Sequence, residues 1–248
     1  MKELYKESVN REGFAIPYYE IPYEKFFQFG LSVDCVVFGY HENKLKVLLI
    51  KRGAKPYLGK WALPGDLVYP NENIESAANR VLRDLTEIDS LFLEQTKTYG
   101  QVDRHPAGRV ITTGFYAIID IAKHDPHAAA WADGIYWVDA DNIPQLAFDH
   151  NQILTDALRI LREQVGKQPV GFELLPSKFT LGELQALYEG LLGVSFDKAN
   201  FRKRMLSMDV LIDCDEYQKN VPHRPGKLYS FDLKRYSELK SKGSNFEI

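Results

Sequence analysis

The sequence predicts an α/β/α sandwich followed by a winged helix-turn-helix domain. Between residues 31 and 165, β-branched apolar runs alternate with two segments whose apolar residues recur at helical spacing. From residue 172 to 248 the order becomes helix, turn, helix and β-hairpin. Residues 1–30 precede the first strand signal, and we expect them to form an extended N-terminal arm.

A β-hairpin begins the sandwich. The segments 32–38 and 45–50 are apolar and rich in β-branched residues, and the polar segment 41–43 between them predicts a turn. The further strand signals are at 61–65, 92–99, 110–121 and 135–138.

Two helices are predicted among these strands. The first has one apolar face, formed by Ile74, Ala77, Ala78, Val81, Leu82 and Leu85. The second is an amphipathic helix over 151–165. The segment 165–171 that follows contains glycine and proline and has the composition of a linker.

The C-terminal domain begins with a helix that has a clear start signal. Thr180 is a candidate N-cap, and Glu183 stands three residues later as its capping-box partner. Gly193 is expected to end this helix, and Asp197 to cap a second one. The segments 210–212 and 228–231 then predict a hairpin, which completes the order of a winged helix-turn-helix.

The second helix of this domain has the character of a DNA recognition helix. Phe201, Met205 and Met208 would face the core and leave polar and basic residues on the opposite face. Residues 198–235 contain nine Lys or Arg and five Asp or Glu, a local net charge of +4. The candidate DNA contacts are Lys198, Asn200, Arg202, Lys203, His223, Arg224 and Lys227. The alternatives are a merely solvated basic face and a helical tail that contacts another protein.

Composition sets broader limits. The 248-residue chain has a net charge of −3 and a pI near 6.1, so the whole-chain balance does not indicate nucleic-acid binding. Cys35 and Cys214 have no metal-type spacing, which favours two reduced thiols. No apolar run approaches the roughly 20 residues that span a membrane. We therefore expect a cytoplasmic protein without a membrane partner.

The segment 64–88 resembles the Nudix box, G-x5-E-x7-R-E-U-x-E-E-x-G-U, in which U is a bulky apolar residue. In that family, paired glutamates hold a divalent metal against a diphosphate. The three carboxylate positions here read Val81, Asp84 and Leu85. One carboxylate cannot assemble the oxygen cluster that such a metal needs. We therefore expect a degenerate box with no metal site, no catalytic residue, no cofactor and no enzymatic activity.

The two box glycines are also replaced, by Asp66 and Glu87. The remaining acidic residues leave one alternative open. A Nudix hydrolase could act on ADP-ribose or another nucleoside diphosphate derivative through a relocated metal site made by Glu72, Asp84 and Glu87. Metal-dependent turnover of ADP-ribose would favour that alternative.

Further stretches resemble one branch of the Nudix superfamily. They are residues 33–39, 48–52, 61–65, 93–95, 104–110, 148–150, 172–176 and 200–204. On these stretches the chain is identified as a Nudix-related transcriptional regulator of the NrtR type, in which a Nudix-like sensor precedes a winged helix. The resemblance implies a homodimeric repressor that binds operator DNA and responds to a small molecule.

Two effector classes are known in this family. One is ADP-ribose or a related nucleotide, and the other is a pentose such as L-arabinose, in the AraR-like branch that regulates carbohydrate metabolism. A negative side chain at Asp66 would disfavour a phosphorylated ligand, so we expect L-arabinose, with ADP-ribose as the alternative. The candidate effector contacts are Lys51, Arg52, Arg104, Arg109, Asp149 and His150. Each could instead form a surface ion pair or cap a helix.

Overall fold

The computed structural model describes residues 29–88, 91–124, 126–222, 224–242, 246 and 248. Of the predicted N-terminal arm, residues 1–28 lie outside the described residues. The first strand begins at Gly30. Among the described helices, none is long and apolar enough to cross a membrane.

A seven-stranded mixed sheet forms the first unit. Its main path runs β3-β2-β1-β6-β5, while β4 pairs with β1 and β7 pairs with β2. The central strand β1 pairs antiparallel with β2, as the hairpin prediction requires, and parallel with β6. The strands are β1 Gly30–His41, β2 Lys44–Arg52, β3 Trp61–Ala62, β4 Gly65–Leu67, β5 Glu94–Tyr99, β6 Val110–Asp120 and β7 Ala132–Asp139.

Helices cover both faces of this sheet. On one face, Val33, Cys35 and Val37 of β1 pack with helix α1 (Ile74–Thr86). On the other face, Val36 and Phe38 join the core that includes helix α2 (His150–Lys167). This alternation follows from the two-residue period of a strand. Two helical layers around one sheet confirm the predicted α/β/α sandwich.

The winged helix-turn-helix unit follows the sandwich. A three-stranded sheet of order β8-β10-β9 packs with helix α3 (Leu181–Leu192). Thr180 and Glu183 form the predicted capping box, and Gly193 ends α3 with φ 69°. Strand β8 and the last helix carry no clear sequence signal. The other elements are β8 Phe179–Thr180, α4 Lys198–Ser207, β9 Leu211–Tyr217, β10 Lys227–Phe231 and α5 Leu233–Ser241.

The segment predicted as a linker is only partly one. Helix α2 continues to Lys167, so the prediction is wrong over residues 165–167. The side chain of Val165 is fully buried and belongs to a hydrophobic cluster that also contains Phe38 and Tyr188. The core of the sandwich therefore continues into the winged helix unit, and burial of an apolar face overrides the local glycine signal.

Candidate functional site

A cavity of about 280 Å³ opens at the end of the sheet where β1 begins. Residues from β1, β2, β4, the loop before β6 and the start of α2 line it. Its charged and aromatic lining includes Asp34, Arg52, Asp66, Arg104, His105, Trp131, Phe148 and His150. Charged and aromatic groups share this wall, which is typical of a small-molecule site.

Asp34 forms the buried centre of a polar network at the floor of the cavity. Its carboxylate accepts a hydrogen bond from Thr112 at 2.8 Å and lies 3.4 Å from Arg104. Arg104 also donates two hydrogen bonds to Asp149, at 2.8 and 2.6 Å. Because Arg104 is shared by two carboxylates, its charge is already balanced within the protein.

His150 connects this network to the backbone of the sheet. The N–H of Leu63 donates to His150 Nδ1 at 3.0 Å, so the imidazole proton lies on Nε2, 3.3 Å from Asp34 Oδ1. Burial raises the pKa of Asp34, but His150, Arg104 and Thr112 together outweigh burial and hold that pKa below its ordinary value. Asp34 therefore stays ionised and fixes the start of α2.

Arg52 is a buried cation of the cavity. The residue is only 9% exposed, and no described residue lies within salt-bridge distance of it. Its Nε donates to the carbonyl of Pro56 at 2.8 Å. The guanidinium carbon lies 4.7 Å from the centre of the Trp131 ring and 5.0 Å from that of Phe148. Burial lowers the pKa of Arg52, and the charges of Asp34 and Asp66 offset this effect only in part, so the group is suited to bind a further anion.

The predicted effector residues separate into two groups. Arg52, Arg104 and His150 line the cavity, and Asp149 reaches it through Arg104. Lys51 lies outside, with Nζ 5.0 Å from the Trp61 ring, because adjacent residues of a strand face opposite ways. Arg109 is also outside the cavity.

The Arg109 side chain explains its own placement. Nη1 donates to the carbonyls of Gly100 and Gln101, which fixes the loop before β6. The expectation that Lys51 and Arg109 contact an effector is therefore not supported by the structure.

Four cavity residues were missed by the sequence reasoning. Asp34 had a signal, since a lone carboxylate inside an apolar strand is rarely buried without partners. His105 and Phe148 lie in two of the stretches that carry the family resemblance, 104–110 and 148–150, whereas Trp131 had no sequence signal. His105 stacks on Phe148 with ring centres 5.1 Å apart, and Phe148 has a left-handed φ of 53°. Such backbone strain is concentrated at functional sites.

The box helix has exchanged its metal-binding face for core packing. Val81 and Leu85 are 1% and 2% exposed and pack beneath the sheet. Glu72 is engaged by Arg80, with Nη2 2.7 Å from Oε1. Within the described part of the chain, no three His, Cys, Asp or Glu side chains are arranged to hold a metal ion. Val81 and Leu85 offer no oxygen ligand at two of the carboxylate positions of the box, and Glu72, Asp84 and Glu87 are not arranged as a metal-binding group in the described part of the chain.

A second, basic groove lies on the winged helix unit. Lys198 and Arg202 of α4 line it together with Arg224 and Lys227 of the wing. Phe201 and Met205 of α4 are buried, as predicted, so the polar face of this helix is turned outward. Asn200 and Lys203 are exposed on the same helix.

One of the predicted DNA-binding cations of the wing is paired with a carboxylate. Lys227 Nζ lies 2.6 Å from Asp213 of the neighbouring strand, so this lysine is partly neutralised before it meets DNA. The predicted contact His223 lies outside the described residues. Among the described residues, no carboxylate forms an ion pair with Lys198 or Arg202 of this groove, whereas Lys227 is paired.

Comparisons with known proteins identify both domains of the chain. The NUDIX domain profile matches residues 28–158. The NrtR DNA-binding winged helix domain profile matches residues 171–231. The chain belongs to the NrtR family. Its members join a Nudix domain to a winged helix, and the fold described above has both units in that order.

Three relatives of this NrtR-family chain are informative. The ADPR responsive transcriptional repressor NtrR of Acinetobacter baylyi is 33% identical over 216 residues, which cover 83% of each chain. The ADP-ribose pyrophosphatase of Methanocaldococcus jannaschii is 33% identical over 137 residues, which cover 55% of this chain and 78% of that protein.

The third relative is NrtR of Shewanella oneidensis, known in two complexes. The complex with a 27mer DNA has a TM-score of 0.66 and 31% identity, and the match covers 87% of this chain and 97% of that chain. The Nudix domain alone with ADP ribose has a TM-score of 0.52 and 30% identity, and the match covers 57% and 94%.

Proposed function

We propose that this protein is a transcriptional repressor that binds operator DNA through its winged helix and responds to ADP-ribose or a closely related nucleoside diphosphate. The sensor comprises residues 31–165 and the DNA-binding unit residues 172–248. The relatives support this reading, since the Acinetobacter protein is an ADPR responsive repressor and the Shewanella Nudix domain binds ADP ribose.

The burial of the Arg52 guanidinium in the cavity is the observation that supports the choice of effector. A neutral pentose would add no negative charge beside this buried guanidinium, whose burial Asp34 and Asp66 offset only in part, whereas a phosphate oxygen pair would add one in bidentate geometry. Lys55 is exposed at the same rim and adds a second cation. The initial preference for L-arabinose rested on the charge of Asp66 and receives no support from the relatives. The assignment to the AraR-like branch and to carbohydrate metabolism rested on the same preference.

We further propose that the domain binds its ligand without cleaving it. With Val81 and Leu85 in the core, the box lacks two of its three metal-binding carboxylates. The relationship to an ADP-ribose pyrophosphatase is then one of shared ligand rather than shared chemistry. An incubation with ADP-ribose and Mg²⁺ or Mn²⁺ should leave the nucleotide intact, and release of AMP would overturn this part of the proposal.

A homodimer acting in the cytoplasm, where the DNA lies, completes the proposal. Two winged helices related by a twofold axis would read a palindromic operator. Sedimentation of the protein with and without operator DNA tests the stoichiometry, and one protomer per operator would contradict it.

Fluorescence anisotropy of labelled DNA from the gene's own upstream region tests the function. At fixed salt, we expect the protein to bind this DNA and ADP-ribose to release it, while L-arabinose has no effect. Release by L-arabinose alone would overturn the effector assignment. Absence of binding to that DNA would overturn the operator assignment.

The DNA-binding surface is tested in the same assay. Arg202→Ala and Lys203→Ala should weaken binding, and log Kd should vary less steeply with log salt concentration because each variant loses a phosphate or base contact. Lys97→Ala, a charge change on strand β5, is the matched control and should bind as the wild type does. Wild-type affinity in both α4 variants would rule out α4 as the DNA-binding helix.

A further inference from the structure

Two aromatic rings lie against the Arg52 guanidinium. The guanidinium carbon is 4.7 Å from the centre of the Trp131 ring and 5.0 Å from that of the Phe148 ring. His105 stacks against Phe148, and Tyr57 packs edge-on against it with ring centres 4.7 Å apart. Since Nε is bound to the Pro56 carbonyl, the free Nη edge is the part that can bind a ligand.

Asp66 contacts Trp131, one of these two aromatic residues. Its Oδ1 accepts a hydrogen bond from the backbone N–H of Leu67 at 2.7 Å. Its Oδ2 lies 3.5 Å from Trp131 Nε1. Asp66 occupies a position where the box has glycine, so a residue without a side chain could not make this contact. These two contacts hold the Asp66 carboxylate at the rim of the cavity.

We infer that Asp66 is a positioning residue which, through Trp131, holds the Arg52 guanidinium edge-on so that it binds two phosphate oxygens of the effector. The inference rests on the proposed function, because it assigns a role within the same cavity. It reverses the expectation from the sequence, in which the charge of Asp66 repels a phosphorylated ligand. Such positioning improves affinity because the Arg52 guanidinium is already oriented before the ligand binds.

The two possible roles of Asp66 predict opposite effects of its removal on the affinity for ADP-ribose. If Asp66 repels phosphate, Asp66→Ala tightens ADP-ribose binding. If it positions Arg52, the same variant weakens binding by roughly tenfold, since a charge-assisted contact loses its geometry. Asp66→Asn keeps an oxygen that can accept from Trp131 and removes the charge. We expect that variant to bind within roughly threefold of the wild type, which is less than one charge-assisted contact contributes.

Isothermal titration with ADP-ribose gives the first measurement. The variants are Asp66→Ala, Asp66→Asn, Trp131→Phe and the double variant Asp66→Ala/Trp131→Phe. Since Asp66 acts through Trp131, the double variant should be no weaker than the Trp131→Phe single variant. Asp133→Ala removes an exposed carboxylate two residues from Trp131 and is the charge control, with unchanged affinity expected. Tighter binding by Asp66→Ala, or additive losses in the double variant, would overturn the inference.

Ligand-free fluorescence separates this inference from the proposed function. The emission of Trp131 is obtained by subtracting the spectrum of the matching Trp131→Phe protein. We expect this emission to change in Asp66→Ala, as the indole leaves Arg52, and to persist in Asp66→Asn. An unchanged Trp131 emission in Asp66→Ala would contradict the positioning role whether or not ADP-ribose binds. Failure of the wild type to bind ADP-ribose would reject the effector assignment alone.

Discussion

Glu72 and Arg80 form a bidentate ion pair across the turn that begins α1, with Arg80 Nε 3.0 Å from Glu72 Oε2 and Nη2 2.7 Å from Oε1. Arg80 also donates to the carbonyl of Leu67 at 2.8 Å and lies over the Tyr69 ring. These contacts hold the loop that borders the cavity. The Glu72–Arg80 pair therefore shapes the loop of the box, while Val81 and Leu85 occupy two of its three carboxylate positions.

Restoring a box glutamate should destabilise the fold rather than create a metal site. Leu85→Glu places a carboxylate among Leu82, Ala78 and Val81 in the core, which should lower the free energy of unfolding by about 3 kcal/mol. Urea unfolding measures the loss. Asp84→Ala, on the exposed side of the same helix, is the control and should change it by less than about 0.5 kcal/mol. A Leu85→Glu protein of wild-type stability would show that this face is open to solvent.

The second lost glycine leaves a strained helix end. Glu87 caps α1 with a left-handed φ of 56°, a conformation that glycine adopts without steric cost. Glu87→Gly should raise the free energy of unfolding by about 0.5–1 kcal/mol, after the larger entropy of the unfolded chain is taken into account. Glu87→Ala also removes the carboxylate facing His127 but keeps the Cβ, so it should show no such gain. Equal stability of the two variants would contradict this account.

Asp34 should make stability depend on pH at the acid end. Its pKa is lower in the folded than in the unfolded protein, so its contribution is complete above the unfolded pKa of about 3.9 and is lost as pH falls through the folded pKa. Asp34→Asn should cost about 3 kcal/mol at pH 7, because Arg104 and His150 lose a charged partner. The difference in free energy of unfolding between the wild type and Asp34→Asn should become smaller below about pH 4. Unfolding curves at pH 7, 5 and 3.5 check this, and a gap of constant size would contradict it.

Contact between the sensor and the DNA-binding unit should be needed for effector response. A Cβ at Gly190 of α3 would lie 2.8 Å from the carbonyl oxygen of Asn43 in the β1–β2 turn. Gly190→Ala should therefore separate the two units and reduce the effect of ADP-ribose on the Kd for DNA. Gly166→Ala in α2, where a Cβ would meet no atom within 4 Å, is the control and should respond as the wild type does.

Anisotropy titrations with and without ADP-ribose measure this response, and thermal melting checks that both alanine variants are folded. A full response in Gly190→Ala would place the coupling elsewhere. The continuous core that joins Val165 of α2 to Tyr188 of α3, and the hydrogen bond from Arg162 Nε to the carbonyl of Leu191, also connect the units.

The sequence predicted those parts of the protein that local rules determine. The capping box at Thr180, the hairpin and the buried face of α4 all depend on neighbours a few residues apart. The aromatic surroundings of Arg52 do not depend on such neighbours, because Trp131 and Phe148 come from distant segments of the chain. Asp66 shows the same limit, since its sign of action depends on a tryptophan 65 residues away.

Release of operator DNA by ADP-ribose in Arg52→Ala tests the central claim most directly, with Lys51→Ala, the neighbouring cation on β2 outside the cavity, as the matched control. Both variants should bind DNA as the wild type does. Lys51→Ala should release DNA at the wild-type ADP-ribose concentration, while Arg52→Ala should need at least about tenfold more, since it loses a charge-assisted contact with phosphate. Release of Arg52→Ala at the wild-type concentration would contradict the claim that Arg52 is the anion receptor of this sensor.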